Sequence, residues 1–306
     1  MLKTFFVVNP KSGGGQTGKR WLEMHGHATR ALGPIGHAFT EKPLDAVAMT
    51  RNALREGFEC VVAVGGDGTI NEVANGFFES DEVINAQAAL AVIPRGTGGD
   101  FRKSFGWDLT LQSALDRLKT DDTEPLDVGR LEFTTHDLGK GVRYFVNVCS
   151  FGVSGEVADE ANKSSKLFGG KASFFIASLK TLMRYRDRKV RIGVDGGPLR
   201  EMNITTAAVA NGRFFGGGMK VAPQASPSDG IFDITLWTGY RLSDFVLKSA
   251  GVYSGAHVQW PGTQCMRAKT LVAESDEVVL IDCDGEQPGR LPCRMTVIPG
   301  AIRVKV

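Results

Sequence analysis

Asp67 stands where an acid needs explaining. It lies in Gly65-Gly66-Asp67-Gly68-Thr69, directly after the apolar run Val61-Val62-Ala63-Val64 and before a stretch, Ile70 to Phe78, that reads as a helix. Strand, glycine turn and helix N-terminus together present backbone N–H groups to a phosphate. Glycines let the backbone approach closely, and the helix dipole adds positive potential. An acid placed there repels phosphate unless a cation lies between them, so the motif predicts a nucleotide held with Mg2+.

Two further glycine loops follow apolar runs. One is Asn9-Pro10-Lys11-Ser12-Gly13-Gly14-Gly15-Gln16-Thr17-Gly18-Lys19-Arg20, after Thr4 to Val8. Gly13 to Lys19 matches the start of a P-loop, but Arg20 occupies the place of the Mg2+-ligating Ser or Thr, which excludes a Walker A motif. Three glycines flanked by lysines still favour phosphate contact over a plain connection. The other is Pro94-Arg95-Gly96-Thr97-Gly98-Gly99-Asp100-Phe101, after Ala88 to Ile93. In an open α/β sheet such loops converge at the carboxyl edge, where ligands bind.

Gly65-Gly66-Asp67-Gly68-Thr69-Ile70-Asn71-Glu72-Val73, with Gly96-Thr97-x-x-Asp100-Phe101 downstream, resembles the diacylglycerol kinase catalytic domain, whose relatives include bacterial lipid kinases, sphingosine kinases and ceramide kinases. The resemblance continues through Leu126-Asp127-Val128-Gly129, Asn211-Gly212, Ala222-Pro223, Asp229-Gly230-Ile231-Phe232 and Asp284-Gly285-Glu286. One position departs from it: Gly99 stands where the family usually has Asn.

The resemblance implies a phosphofructokinase-like nucleotide domain, an antiparallel β domain and an active site in the cleft between them. It implies ATP contacts from Asn9, Ser12, Gly13, Thr40, Gly96 and Thr97, and from the run Gly65, Gly66, Asp67, Gly68, Thr69, Ile70, Asn71 and Glu72. Asp67, Asp100 and Asp127 would place the catalytic Mg2+, partly through water. Asp229, with the carbonyls of Ser226 and Ile231, would bind a second Mg2+. Asp284-Gly285-Glu286 would supply the base, with Asp127 the next candidate. Phosphoryl transfer to an alcohol requires these parts: a cradled γ-phosphate, neutralised charge and an acceptor for the hydroxyl proton. By composition alone, Asp284-Gly285 is equally a hairpin turn, and Pro227-Ser228-Asp229-Gly230 a plain turn. Arg102 and Lys103 are candidates to grip a lipid headgroup or phosphate.

The rest of the chain must position these groups. Its 306 residues suit two domains, and 42% hydrophobic with 23% charged residues is ordinary for a globular protein. Net charge is +2, so composition predicts no nucleic-acid partner. Five scattered cysteines without CxxC spacing read as buried thiols in a reducing compartment, and His25 and His27 read as surface residues. The first ~125 residues alternate strand and helix, with helices through Trp21 and Met24, over Asp45 to Glu56 and over Leu111 to Leu118. Short β runs then dominate: Tyr144–Val148, Val190–Val194, Ile204–Ala210, Ile231–Leu236, Val278–Ile281, Met295–Ile298 and Ile302–Val306. The expected fold is a Rossmann-like α/β domain over 1–126 and an antiparallel β sandwich over 127–306 that binds lipid, with the last strands free to return toward the first domain.

No run of about 18 uncharged apolar residues occurs and no secretory signal is visible, so membrane contact is expected to be peripheral and the location cytoplasmic. An amphipathic helix is expected over Leu167 to Tyr185. Lys163, Lys166 and Lys171 with Phe168, Phe174 and Phe175, then Arg184, Arg186, Arg188, Lys189 and Arg191, form a cationic and aromatic stretch suited either to a bilayer surface or to an ordinary core and solvated face. The function expected is ATP-dependent phosphorylation of a lipid hydroxyl, diacylglycerol or a related lipid. The alternative is a soluble kinase of the NAD-kinase type, which shares a GGDGT loop. Oligomeric state is left open, a homodimer included.

Overall fold

The computed structural model describes residues 2–96, 98–164, 181 and 183–306. Thr97, most of the helix expected over Leu167–Tyr185 and the side chain of Lys163 lie outside the described residues.

Four strands build the parallel half: β1 (Thr4–Val8), β2 (Gly36–Phe39), β3 (Cys60–Gly65) and β6 (Ala89–Pro94), in the order β6-β3-β1-β2. Strands β3 and β6 are buried along their whole length, as continuous apolar runs require when both faces of a sheet are covered. Alternate residues serve the two faces. Val61, Ala63, Leu90 and Val92 pack under α2 (Asp45–Arg55) and α3 (Asp67–Gly76). Val62, Val64, Ala91 and Ile93 pack under α1 (Gln16–Leu32) and α5 (Leu111–Lys119), where Trp21, Met24, Leu115 and Leu118 are buried. A short helix, α4 (Asp100–Ser104), follows the third glycine loop. Strands β4 (Phe78–Glu79) and β5 (Glu82–Val83) form a small hairpin.

The sheet does not stop at the end of the α/β half. Strand β7 (Thr123–Thr134), which runs through the Leu126–Gly129 motif, pairs antiparallel with β17 (Arg290–Lys305). Strand β17 in turn pairs parallel with β6, through Arg303↔Ala89 and Val304↔Leu90. The C-terminal strand therefore does return to the first half. The two runs expected at 295–298 and 302–306 are one strand, with a register shift between Ile298 and Ile302. Strands β8 (Lys140–Phe145), β10 (Arg188–Val194), β11 (Arg200–Ile204) and β15 (Thr270–Glu274) complete a ten-stranded sheet.

A second sheet has the order β14-β13-β12-β9-β16: Thr263–Ala268, Phe232–Trp237, Thr206–Ala210, Val148–Gly152 and Ile281–Cys283. The runs 144–148 and 204–210 were expected as single strands. Each is divided between the two sheets, at Val146-Asn147 and at Thr205, so the chain crosses the sandwich there. Phe151, Val209, Ile234, Leu236 and Ile281 from the second sheet pack against Leu131, Ile192, Leu271 and Met295 from the first. The opposite face of the second sheet is partly covered by α6 (Val153–Ser164) and α7 (Leu242–Ser254).

Of the cationic stretch, Arg188, Lys189 and Arg191 lie on β10 and are paired. Arg188 bonds Glu156 and Glu277, Lys189 bonds Glu201, and Arg191 bonds Glu274 and Asp276, at 2.8–3.2 Å. These three belong to a strand with compensated charge rather than to one basic helix.

Candidate active site

The three glycine loops meet at the carboxyl ends of β1, β3 and β6. The Asn9 N–H donates to the Val64 carbonyl, and Asn9 Nδ2 donates to Thr69 Oγ1 at 3.2 Å. Arg95 N–H donates to the Gly65 carbonyl, and Thr40 N–H to the Val8 carbonyl. Ser12 Oγ bonds the Asn9 carbonyl at 2.8 Å and Thr17 Oγ1 at 2.7 Å, bracing the first loop. Gly13, Gly14 and Gly15 all have left-handed φ, and a Cβ on Gly14 or Gly15 would meet nothing within 4 Å. The middle of that loop is open, as a phosphate cradle must be.

The close approach is between Gly66 and Gly96. A Cβ on Gly66 would lie 3.2 Å from the Gly96 Cα, and one on Gly96 only 2.5 Å from the Gly66 Cα. Gly66 has φ −94°, an ordinary extended value, so backbone contact and not left-handed geometry demands glycine there. Helix α3 starts at Asp67 rather than Ile70, so the acid itself sits in the first turn. We expect Gly66→Val to abolish ATP binding by pushing the two loops apart. Titration calorimetry checks this, and unchanged affinity would mean that neither loop touches phosphate.

Asp67 caps the helix after the third loop. Its Oδ2 and Oδ1 accept the N–H groups of Asp100 and Phe101, both at 3.1 Å. Burial, and the nearby Asp100, push the Asp67 carboxyl above the ordinary range. Asp100 is buried and accepts from Lys103 Nζ at 2.8 Å and from the Gly217 N–H at 2.7 Å, which ties the two halves together. Both acids lie within 4 Å of the Cβ position on Gly98, at 3.0 Å for Asp67 and 3.9 Å for Asp100. Gly99 has φ +61°, a left-handed conformation that glycine and asparagine both tolerate, which accounts for its standing in place of Asn. Lys103 is engaged by Asp100, and Arg102 folds back to donate to the Trp107 carbonyl at 2.5 Å.

Asp284-Gly285-Glu286 reaches this site from the second sheet. Asp284 and Gly285 have φ +50° and +92°, and the Cys283 and Glu286 backbones bond each other across them. It is a tight hairpin turn with positive φ at both central residues. The turn aims its two acids differently. Asp284 accepts four hydrogen bonds: Asn71 Nδ2 and Val146 N–H on Oδ2, at 2.8 and 2.9 Å, and Asn147 and Val148 N–H on Oδ1, at 3.2 and 2.8 Å. Burial pushes its carboxyl up to about 6 against these donors. Glu286 instead faces the GGDGT loop, its Oε1 3.9 Å from the Cβ position on Gly68. Burial raises the Glu286 carboxyl, Arg143 opposes that rise, and Glu72 adds to it.

We expect Asp284→Asn to destabilise the fold by about 2–3 kcal/mol, because an amide N–H2 would confront donors that now share a charged acceptor. Urea unfolding reads this as a lower midpoint, and an unchanged midpoint would dismiss the structural role.

The remaining predicted residues are placed as follows. Asp127 is buried, with Oδ2 on the Gly230 N–H at 2.6 Å and Oδ1 on the Gly300 N–H at 2.7 Å, bracing the loop after Ser226 against the bend in β17. Burial raises its carboxyl too. Asp229 pairs with Arg267 and accepts the Ile231 N–H at 3.3 Å. Arg267 thus lies against the one carboxylate of the expected second cation site, Ser226, Asp229 and Ile231. Ile70 is buried against the α/β core, and Glu72 accepts the Ala46 N–H at the start of α2. Asn147 was not anticipated, and Asn211 was anticipated only within the Asn211-Gly212 motif, with no role attached. Asn147 Nδ2 bonds the Phe214 carbonyl, and Asn211 Nδ2 bonds the Asp127 and Val146 carbonyls. Asn211 was visible only as part of a motif, and Asn147 carried no local signal.

Residues 3–131 match the diacylglycerol kinase catalytic domain, and residues 147–306 match the YegS C-terminal NAD kinase beta sandwich-like domain. The chain belongs to the diacylglycerol kinase family. It is thereby a lipid kinase. Among its curated relatives, the diacylglycerol kinase of Mycobacterium tuberculosis is 29% identical over 261 residues, covering 85% of this chain and 81% of that protein. The diacylglycerol kinase of Bacillus subtilis is 29% identical over 267 residues, covering 87% and 80%. A crystal structure of a diacylglycerol kinase from Bacillus anthracis superposes with a TM-score of 0.72 at 20% identity, covering 99% of this chain and 96% of that one, and so shares its fold. No helix of the described residues is long and apolar enough to cross a membrane.

Proposed function

We propose that this kinase transfers the γ-phosphate of ATP to the hydroxyl of diacylglycerol or a related lipid at a membrane surface, in the cleft where the Asp284–Glu286 turn faces the GGDGT loop. The observation that carries the reading is the placement of Glu286 3.9 Å from the Cβ position of Gly68, with Asp284 tied to Asn71 of the same helix at 2.8 Å.

The residues present fit a nucleotide with one cation. Gly14 and Gly15 leave an open cradle, and the Gly66–Gly96 contact admits no side chain. Asp67 and Asp100 form an acid pair in a partly buried place, and Mg2+ is commonly held by one or two carboxylates with phosphates completing its shell. Bound Mg2+ and ATP would supply the phosphoryl group and neutralise its developing charge. The protein's own part is positional. Backbone N–H groups of the three loops hold phosphate, Asp284 fixes the turn, and Glu286 takes the acceptor hydroxyl proton on Oε1. Lys103, held against Asp100, keeps positive charge beside the acids.

The test is transfer of labelled γ-phosphate from ATP into a panel of lipids in mixed micelles, with NAD as soluble control. Product with a lipid and none with NAD supports the reading. Product with NAD alone overturns it in favour of a soluble kinase. On this reading the protein acts in the cytoplasm at the membrane periphery, and it should sediment with anionic liposomes at low salt and lose that binding as salt screens the contact. Equal binding to neutral vesicles would remove electrostatics from the attachment.

A further inference from the structure

Strand β8 pairs with β7 alone among the described strands, which leaves its other edge to be satisfied by something else. At Tyr144 that edge is taken by one side chain of α3. Asn75 Oδ1 accepts the Tyr144 N–H at 3.0 Å, and Asn75 Nδ2 donates to the Tyr144 carbonyl at 2.8 Å. A side-chain amide carries a neutral donor and a neutral acceptor in one plane, so Asn75 pairs with the edge as a strand would. Tyr144 is itself held at its far end. Its ring stacks on Phe78 with centroids 3.9 Å apart, and its hydroxyl donates to Asp81 at 2.7 Å.

Asn75 also decides which way Asn71 points. Asn71 lies one helical turn earlier and is 3% exposed. Its Oδ1 accepts from Asn75 Nδ2 at 3.2 Å, which turns its own Nδ2 toward the Tyr144 carbonyl at 2.9 Å and Asp284 Oδ2 at 2.8 Å. Both Nδ2 hydrogens of Asn71 are thereby used. The reverse orientation would set Oδ1 against a carboxylate and a carbonyl, and would set the two amide nitrogens against each other. The other donors to Asp284 are the N–H groups of Val146, Asn147 and Val148, just beyond Tyr144. Every hydrogen bond to Asp284 is therefore referred to one place on β8 and to the helix clamped there.

We propose that Asn75 is a positioning residue of the transfer, fixing the Asp284–Glu286 turn over the GGDGT helix through Asn71 and the Tyr144 backbone. This role rests on the lipid-kinase reading, which places the base on that turn. Helix α3 begins at Asp67, in the glycine loop, so one rigid element carries both that loop's first turn and the asparagines that hold the acid turn. Asn75 stands about 12 Å along the helix from Asp67, clear of the loop. Loss of its amide should let the acid turn shift against the loop while the loop keeps its own geometry.

Asn75→Asp is the sharpest variant. It keeps the volume and the acceptor for the Tyr144 N–H, but it replaces the donor to Asn71 with an acceptor and so favours the reverse orientation of that amide. It should lower kcat by about 10- to 100-fold, the worth of one hydrogen bond to a charged group. Affinity for ATP, by calorimetry, should stay within about twofold of wild type. In the Asp284→Asn background the partner is an amide that meets either face of Asn71, so Asn75→Asp should cost at most about twofold more there. All rates are taken where circular dichroism shows each variant folded. A second measurement needs no turnover. In isotope-labelled protein free of nucleotide and lipid, NMR signals of the Asn71 side-chain amide are assigned by their absence in Asn71→Ser. Their exchange with solvent should be at least about 10-fold faster in Asn75→Ala than in wild type. Additive losses in the double variant, a loss of ATP affinity in place of kcat, or unchanged exchange would overturn the proposal. If exchange quickens but the wild type phosphorylates no lipid, the kinase reading fails and the clamp stands.

Discussion

Glu286→Gln should lower kcat by about 10²- to 10⁴-fold, the usual span for loss of a general base. Affinity for ATP should barely change, because the amide keeps the size of the carboxylate and Glu286 faces the GGDGT loop at Gly68 without bracing it. Asp284 does not offer the same chemistry. Its two oxygens accept four donors, so it is a holder of the turn, and its substitution is expected to read out in stability as well as rate. The pH profile separates the two further. Glu286 must be ionised to accept a proton, and burial raises its pKa, so the acid limb of kcat/KM should lie above the ordinary glutamate range. Activity is then present above that limb and lost as pH falls through it. Glu286→Gln should remove the limb along with the rate. A near-normal turnover number would transfer the role of base elsewhere, with Asp127 next to be tested.

Asp67→Ala should lower kcat/KM by about 100-fold or more, as removal of one electrostatic anchor for phosphoryl transfer does. It also removes the acceptor for two N–H groups at the start of α4. Loss of a helix cap costs about 1 kcal/mol, which for a chain of this size lowers the melting temperature by about 2–4 °C. The two effects can be told apart. A folded variant with a slightly lower melting temperature and a large kinetic defect supports an anchor. A variant with near-normal turnover at saturating Mg2+ and only the lower melting temperature would leave Asp67 as a cap alone.

Much of the site was legible because its parts are local. A strand ending in glycines announces itself within nine residues, and three such strand ends in order point to one sheet edge. Alternation of strand and helix before residue 125 and of short strands after it was equally a matter of neighbouring residues. What the linear pattern hid were strands whose polarity is set by distant partners. Strand β7 carries Glu124, Asp127 and Glu132 and does not read as apolar alternation, yet it is central because β17 pairs along it. The crossings at Asn147 and Thr205 look like continuous β runs, since residues on both sides are buried in either sheet.

The sequence by itself determined the class of fold, the glycine loops that a phosphate requires and the acids that a metal-assisted transfer requires, because each depends on residue type and short spacing. Only the tertiary structure distinguishes the surroundings of Asp284 from those of Glu286. The two acids are separated by one glycine, and their orientations follow from a turn whose first acid is captured by Asn71 and by three backbone N–H groups some 136–138 residues away. The same is true of Asp127, which becomes a brace because the loop at Gly230 and the bend at Gly300 converge on it. A carboxylate's role is set by the donors around it, and those donors come from parts of the chain that only folding brings together.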